Sequence, residues 1–506
     1  MSYISTAVGS ERLSRTSGYN IKKGNFQNDT SNLPQIIAVF GEANTANQSS
    51  ISIDKKEVTT AEEAGKIYGY GSPIHQMMRI LRPNNGDGVG GIPTIVFPQL
   101  TDELSTATVV TFSVAGTATK STTHTVRISG RENLDFQSYS FTVIKGESAA
   151  SVSAKIRDAV NNVLSSPVIA TGTNPSIILT TKWKGLTSAN VKIEFNSNGD
   201  SAGLTYAQTT RVDGAGVVDL IDSLDQFGSD WYTCVINPYG ESQLDILEQY
   251  NGTPSTEQPT GRYAATVFKP FMAYFGTTST VIEDLAAITN DDERIDQVTN
   301  VLCPAPGSMG FPWEAAANVV RLFARTMQDT PESDINGKAY PDMPAPADAN
   351  IGPMSQYNNR DFLIKKGCST VILNKGSYEV QDLVTTYHPE GEKPLQFNYC
   401  RNLNLDWNIA DAYRIIEILK LRDKVLVMDN QVTSSLMAIK PKEWKAILYD
   451  FFEDLGERAL INEPSFSKES LRIGINELNV NRFDTFFRYK RTGIARIEST
   501  TAEAGF

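Results

Sequence analysis

Cysteine, histidine and long apolar runs are all scarce in this 506-residue chain, and each scarcity removes a class of function. The four cysteines, Cys234, Cys303, Cys368 and Cys400, are widely spaced, with no C-x-x-C pair. A zinc site needs clustered ligands and a disulfide scaffold needs dense cysteine. The thiols therefore read as isolated, buried side chains of a reducing compartment. His75, His124 and His388 are the only histidines, and none belongs to an H-x-x-x-H pair. The sequence has no G-x-S-x-G nucleophile elbow and no G-x-x-x-x-G-K-[ST] phosphate loop, so neither acyl transfer nor phosphate-loop ATP hydrolysis has a carrier. No stretch approaches the ~18 apolar residues of a membrane helix. The opening Met1-Ser-Tyr-Ile4 lacks the basic flank and apolar core of a signal peptide.

The Gly-rich loop Gly86-Asp-Gly-Val-Gly-Gly91 follows a helical segment and opens a strand. A dinucleotide fingerprint has the opposite order, so the loop reads as a tight turn. The carboxylate pairs Glu62-Glu63 and Asp291-Asp292 are adjacent in sequence and point about 100° apart on a helix, which suits helix termini better than a shared substrate. A net charge of −12, spread along the chain, opposes a general nucleic-acid binder, which needs a basic face. No metal, cofactor or nucleic acid is expected. What remains is an ordinary globular composition, 40% hydrophobic and 21% charged, at a length that predicts about three domains.

Residues 1–30 are polar and lack apolar periodicity, which predicts a flexible arm. Residues 31–100 and 213–350 alternate strands with helices and predict one discontinuous α/β domain. Its first elements are a strand over Leu33 to Gly41, a helix capped by Thr59 or Thr60, a helix opened by Pro73 and a strand from Ile92. Later come a helix over Val217 to Phe227, strands at Trp231 to Ile236, Ala264 to Phe268, Met272 to Tyr274 and Thr299 to Cys303, and a helix from Trp313. The Pro- and Asp-rich stretch 328–356 reads as a linker. Residues 101–212 are instead rich in Thr, Ser, Val and Ile at period two, interrupted by one amphipathic helix over Ser148 to Leu164. They predict a β-rich domain inserted into a loop of the first. Residues 351–481 form a C-terminal domain containing a hairpin turned at Asn374-Lys-Gly376, helices over Ile409 to Val427 and Pro441 to Leu460, and a strand from Leu471. Residues 482–506 form a second arm in which aromatics alternate with cations.

Within that C-terminal third, four motifs occur in order. They are a short helix running into Gly367-Cys-Ser-Thr-Val371, the run Leu383-Val-Thr-Thr-Tyr387, a helix ending at Leu455-Gly456, and Asn481-Arg-Phe-Asp484. In their order and spacing the chain resembles the sheath proteins of contractile phage tails, in particular the Mu-like group. Tyr68-Gly-Tyr-Gly-Ser72 falls where such proteins often carry a Phe-Gly-x-Gly-Ser-like stretch. One departure is Gln381-Asp382, where many relatives carry an arginine. The resemblance implies a mixed α/β, multidomain fold with a β-rich outer insert and strand-exchanging terminal arms. It also implies a structural virion protein, not an enzyme, assembled in the bacterial cytoplasm. Such subunits form stacked hexameric rings around a tail tube, with baseplate and tail terminator proteins as further partners, and contract to drive the tube through the host envelope.

On this reading Arg482, Phe483, Phe486, Phe487, Arg488, Tyr489, Lys490, Arg491, Ile494, Arg496 and Ile497 are the candidate subunit contacts of the second arm. The aromatics would fill pockets on a neighbour and the cations would meet acidic surfaces. The competing reading is that Leu471 to Ile497 closes the subunit's own sheet. Lys442, Lys445 and Arg458 are the candidate tube contacts, because a grip built for release is better electrostatic than apolar. The alternative function is a glycan-binding or hydrolytic virion protein whose 101–212 insert displays Phe112, Phe136, Tyr139, Phe141, Trp183, Phe195 and Tyr206.

Overall fold

Five parallel strands and one antiparallel edge strand form the central sheet. Their spatial order is Asn300–Pro304, Met272–Thr277, Cys234–Ile236, Ile37–Glu42, Thr94–Gln99 and Lys56–Glu57. The computed structural model describes residues 32–504 apart from 87, 255–257, 291–293, 347 and 393–394. The expected N-terminal arm, residues 1–30, and the pair Asp291-Asp292 lie outside the described residues. Taken in chain order, the parallel strands are wound outward from Ile37–Glu42 in both directions, the doubly wound 2-1-3-4-5 arrangement. Alternate residues of that central strand serve opposite faces. Ile37 and Val39 join the core under helices Pro73–Leu81 and Pro312–Asp329, while Ala38 and Phe40 join Phe97, Phe227 and Leu247. Burial on both faces explains the unbroken apolar run.

The helix starts follow their sequence signals closely. Thr60 Oγ1 accepts from the Glu63 amide at 3.1 Å while the Glu63 carboxylate accepts from the Thr59 amide at 3.0 Å, opening the helix Ala61–Tyr68. Ser72 Oγ accepts from the His75 amide at 3.2 Å and Pro73 holds the first helical position of Pro73–Leu81.

Between Thr94–Gln99 and Cys234–Ile236 the chain leaves the central sheet and builds two smaller ones. One orders Leu204–Val212, Val109–Gly116, Ser176–Thr181 and Val168–Thr171; the other orders Ile193–Asn196, Thr122–Ile128 and Ser140–Val143. The helix Ala149–Asn161 buries Val152, Ile156 and Val160 against them. Two of these strands, Val168–Thr171 and Leu204–Val212, carry weak signals in sequence. Leu204–Val212 is exposed over most of its length, so no apolar alternation marks it. Its core is continuous with that of the central sheet, so this unit is packed onto the α/β layer rather than tethered to it.

Several expected elements change. Ala264 to Phe268 is not a strand: the Ala264 carbonyl accepts from the amides of Val267 and Phe268, closing a turn. The helix expected over Val217 to Phe227 shrinks to Ile221–Asp225, and Ile282–Thr289 adds an unexpected one. The stretch 328–356 is irregular but not a loose linker, because Ile335 and Tyr340 are buried and the Tyr340 hydroxyl donates to the Pro304 carbonyl at 3.0 Å. In the C-terminal third the hairpin Thr370–Asn374/Ser377–Asp382 packs into the main core. The next helix is Cys400–Lys420, starting well before Ile409, and Val425–Leu426 leaves it to pair with Ala438–Ile439. Pro441–Glu457 then lies over a separate core containing Trp444, Leu448, Phe451, Phe452 and Leu455.

Candidate assembly surface at the C-terminal tail

The tail begins as half of a hairpin. Arg472–Ile475 pairs antiparallel with Phe483–Phe486 in the register Arg472 to Phe486 through Ile475 to Phe483. Asn476 fastens the turn: its side-chain carbonyl accepts from the amides of Leu478 and Asn479 at 3.0 Å, and its amide donates to Asp484 at 2.7 Å. Trp444 Nε1 donates to Thr485 Oγ1 at 3.2 Å and ties the hairpin to the helix beneath it. Among the described residues this sheet has two strands, so it keeps an unpaired hydrogen-bonding edge on either side.

Beyond the hairpin the tail lies on its own subunit. Phe487 packs between Tyr413 and Phe452, with ring centroids at 5.6 and 5.1 Å. The Tyr489 hydroxyl donates to Asp406 at 2.9 Å, and Lys490–Arg491 pairs antiparallel with Ile461–Asn462. Arg491 grips Asp406 with two parallel bonds of 2.7 and 2.5 Å, the fork geometry that favours arginine over lysine. Burial opposes the charge of Arg491, yet Asp406 holds its pKa above the ordinary value. Arg401, itself buried, donates to the Thr492 carbonyl and hydroxyl at 2.5 and 2.7 Å. Arg496 lies 3.9 Å over the Tyr399 ring and pairs with both Asp334 and Asp382. Burial raises the pKa of Asp382 against the pull of Arg496.

The candidate contacts thus divide. Phe483, Phe487, Tyr489, Arg491 and Arg496 are engaged within the chain. Lys490 pairs with Glu463 at 2.6 Å. Phe486 and Ile497 are exposed, as are Arg482 and Arg488, and Ile494 is half-buried. Arg482 is paired with its neighbour Asp484, and Arg488 lies against the Phe486 ring. The partner residues Asp334, Asp382, Arg401 and Asp406 carry no sequence signal, since they come from three separate segments of the chain, Arg401 and Asp406 sharing the helix Cys400–Lys420.

Of the candidate tube contacts, Lys442 is exposed and Lys445 lies over the Tyr449 ring on the solvated face of Pro441–Glu457. Arg458 stands about 24 Å away along that helix and is engaged by Asp454 and by Asn32 at 2.8 Å. The structure brings the two lysines together and leaves the arginine apart.

The ligand position typical of this sheet topology is filled by the chain itself. In doubly wound sheets ligands bind outside the carboxyl ends of the strands, where the winding reverses. Here that point lies between Glu42 and Tyr239, and the insert segment Trp183 to Asn190 occupies it. Thr187 Oγ1 donates to Glu42 Oε1 at 2.6 Å and Trp183 Nε1 donates to Thr187 Oγ1 at 3.1 Å. Burial lifts the Glu42 carboxyl to about 7, against hydrogen bonds from Thr187 and its other neighbours. His75 Nδ1 accepts from the Gly71 amide at 3.1 Å, and burial lowers its pKa to about 4. His124 bonds the Tyr206 hydroxyl and the Asp200 carbonyl; His388 bonds the Thr386 carbonyl and Asn290. The insert's aromatics form its interior: Phe112, Tyr139, Phe141 and Trp183 are buried, and Phe195 stacks on Tyr206 at 4.6 Å. Phe136 alone of the seven stands out into solvent.

Comparison with known proteins agrees with the resemblance seen in sequence. The chain is 26% identical over 196 residues to the Mu-like prophage FluMu tail sheath protein of Haemophilus influenzae, a match spanning 38% of each chain. No family model matches. Among solved structures, a sheath tail protein from Desulfitobacterium hafniense aligns with 94% of this chain and 100% of its own, at a TM-score of 0.44 and 10% identity. The sheath of an extracellular contractile injection system in its contracted state aligns with 98% of this chain and 99% of its own, at 0.44 and 7%.

Proposed function

From its similarity to a Mu-like prophage tail sheath protein, we propose that the chain is the structural subunit of a contractile phage tail sheath. It polymerises as stacked hexameric rings around the tail tube, between the baseplate and the tail terminator, and its contraction drives the tube through the host envelope during genome delivery. It is assembled in the host cytoplasm and works as part of the virion. The feature of this chain that supports the reading is the two-stranded hairpin Arg472–Ile475/Phe483–Phe486. Its two unpaired edges are templates for strands from neighbouring copies, a mode in which main-chain hydrogen bonds hold subunits together without fixing how their bodies pack. Residues 1–30 and 482–497 are the donors. Because Arg491 and Arg496 occupy acidic seats on their own subunit, donation of the tail exchanges one copy's seat for the next copy's. Rigid bodies joined by such arms can then re-pack between extended and contracted arrays. Lys442 and Lys445 face the tube, and the insert lies on the outside.

Negative-stain electron microscopy of the purified chain over a range of concentration and salt tests this. Hollow, helically striated cylinders are expected. Monodisperse monomers that persist even on co-expression with the tube protein would overturn the proposal.

A further inference from the structure

We propose that Phe136 anchors one copy of the chain on the next, its ring entering the apolar cleft formed by Ile221, Leu224, Ile246, Tyr250 and Val267 of the neighbour. This rests on the homopolymer reading above and adds a contact that neither arm supplies.

Leu134 pairs with Gln137 across the short hairpin Asn133–Leu134/Gln137–Ser138, leaving Asp135 and Phe136 as a two-residue turn. Their φ angles are 46° and 67°, the left-handed pair that such turns normally give to Asn and Gly. A bulky side chain at that angle is costly, and this one is also 89% exposed. Neither backbone conformation nor packing within the subunit rewards phenylalanine here; an anchor for another surface does.

The turn is also held stiffly. Leu134 and Tyr139 are buried on either side of it. Arg79 Nε donates to Asp135 at 3.0 Å, and the Leu164 amide donates to the Gln137 side chain at 2.6 Å. Leu164, itself 55% exposed, lies beside the hairpin and widens the apolar spot. A knob fixed in this way loses little freedom on docking.

The cleft is a cavity of about 570 Å³ between Ile221–Asp225, Leu244–Asn251 and the turn after Gly261. Ile221 and Val267 at its rim are 53% and 41% exposed. It lies under the helices of one sheet face, whereas Arg79, which braces the knob, sits on Pro73–Leu81 over the other. Placed on opposite faces, knob and cleft meet between copies, head to tail, which is the arrangement that propagates a ring or filament. One phenyl ring buries at most about 200 Å², far below the ~1,200 Å² of a stable pair. It would not hold an independent receptor alone, but an array of identical copies repeats it at every subunit.

Two measurements decide the matter. Phe136→Gly relieves the turn, so the monomer should melt no lower than the parent while the critical concentration for polymerisation rises about tenfold or more. Separately, equimolar Leu164→Cys and Val267→Cys single variants, both of which keep Phe136, are mixed at high concentration and oxidised; the four native thiols are buried. A disulfide-linked species appearing only in the mixture is expected. Polymerisation of Phe136→Gly at the parental concentration, or absence of the mixed disulfide, overturns the proposal. If the parent forms no polymer even with the tube protein, the sheath reading falls, while the disulfide assay still decides this contact.

Discussion

Replacing Glu42 by glutamine tests whether the insert is fastened to the central sheet through a protonated carboxyl. Glu42 is 1% exposed, accepts from Thr187 at 2.6 Å and has no cation beside it to hold its charge. Its carboxyl is lifted from the ordinary 4.5 to about 7, so the folded chain holds this proton more tightly than the unfolded one. The stabilisation is fully present below about pH 4.5 and is lost as pH rises through about 7, amounting to about 3 kcal/mol at ~1.4 kcal/mol per pH unit. Glutamine keeps the acceptor for Thr187 and does not ionise. The variant should therefore match the parent near pH 5 and exceed its stability at pH 8 by up to about 3 kcal/mol. His75, lowered to about 4, acts in the opposite sense, its contribution being lost as pH falls below about 6.5. It is common to both proteins and cancels in the difference. Urea unfolding followed by tryptophan fluorescence reports the region directly, since Trp183 lies 6.2 Å from Trp313. Parallel stability–pH curves for the two proteins between pH 5 and 8 would refute the reasoning.

Three further outcomes are expected. Gly71→Ala should cost about 3 kcal/mol and loosen the insert, because Gly71 has a φ of +84° and an added Cβ would meet the Ser166 carbonyl at 2.4 Å; hydrogen exchange in 165–190 reads it. Phe487→Ala should cost about 3 kcal/mol in thermal melts, whereas Phe486→Ala, at an exposed site, should stay within about 0.5 kcal/mol. Arg491→Ala leaves Asp406 without its cation and should cost about 3 kcal/mol while exposing the tail to limited proteolysis; a tail as resistant as the parent's would show that the pair does not hold it.

The elements legible in sequence were those carrying local signals. Thr60 caps and Pro73 opens their helices where expected, and Asn374-Lys-Gly376 turns its hairpin. The start of Cys400–Lys420 was hidden because Arg401, Asn404 and Asn408 look solvent-facing. All three are buried and partnered from afar, Asn408 by the Leu33 amide at 2.7 Å, Arg401 by Thr492, and the Asn404 side-chain oxygen by Gln35 Nε2 at 3.3 Å. The tail's composition suggested acidic and apolar contacts on a neighbouring subunit; within the subunit Arg491, Arg496 and Phe487 make contacts of that chemistry with their own chain. That the seats of Arg491 and Arg496 lie on the same subunit depends on Asp334, Asp382 and Asp406 meeting in space, which no periodicity encodes.

The 21-residue helix Cys400–Lys420 also has a mechanical meaning. Cys400, Leu403 and Trp407 are embedded in the core of the central sheet, while Leu405, Ile409 and Ile416 belong to the core under Pro441–Glu457. One rod about 30 Å long is thus clamped at both ends, like an axle pressed into two wheels. The two cores cannot be re-angled without bending the rod or stripping side chains from one of its seats. A torque applied to the C-terminal body therefore reaches the sheet, and the insert packed upon it, through this helix.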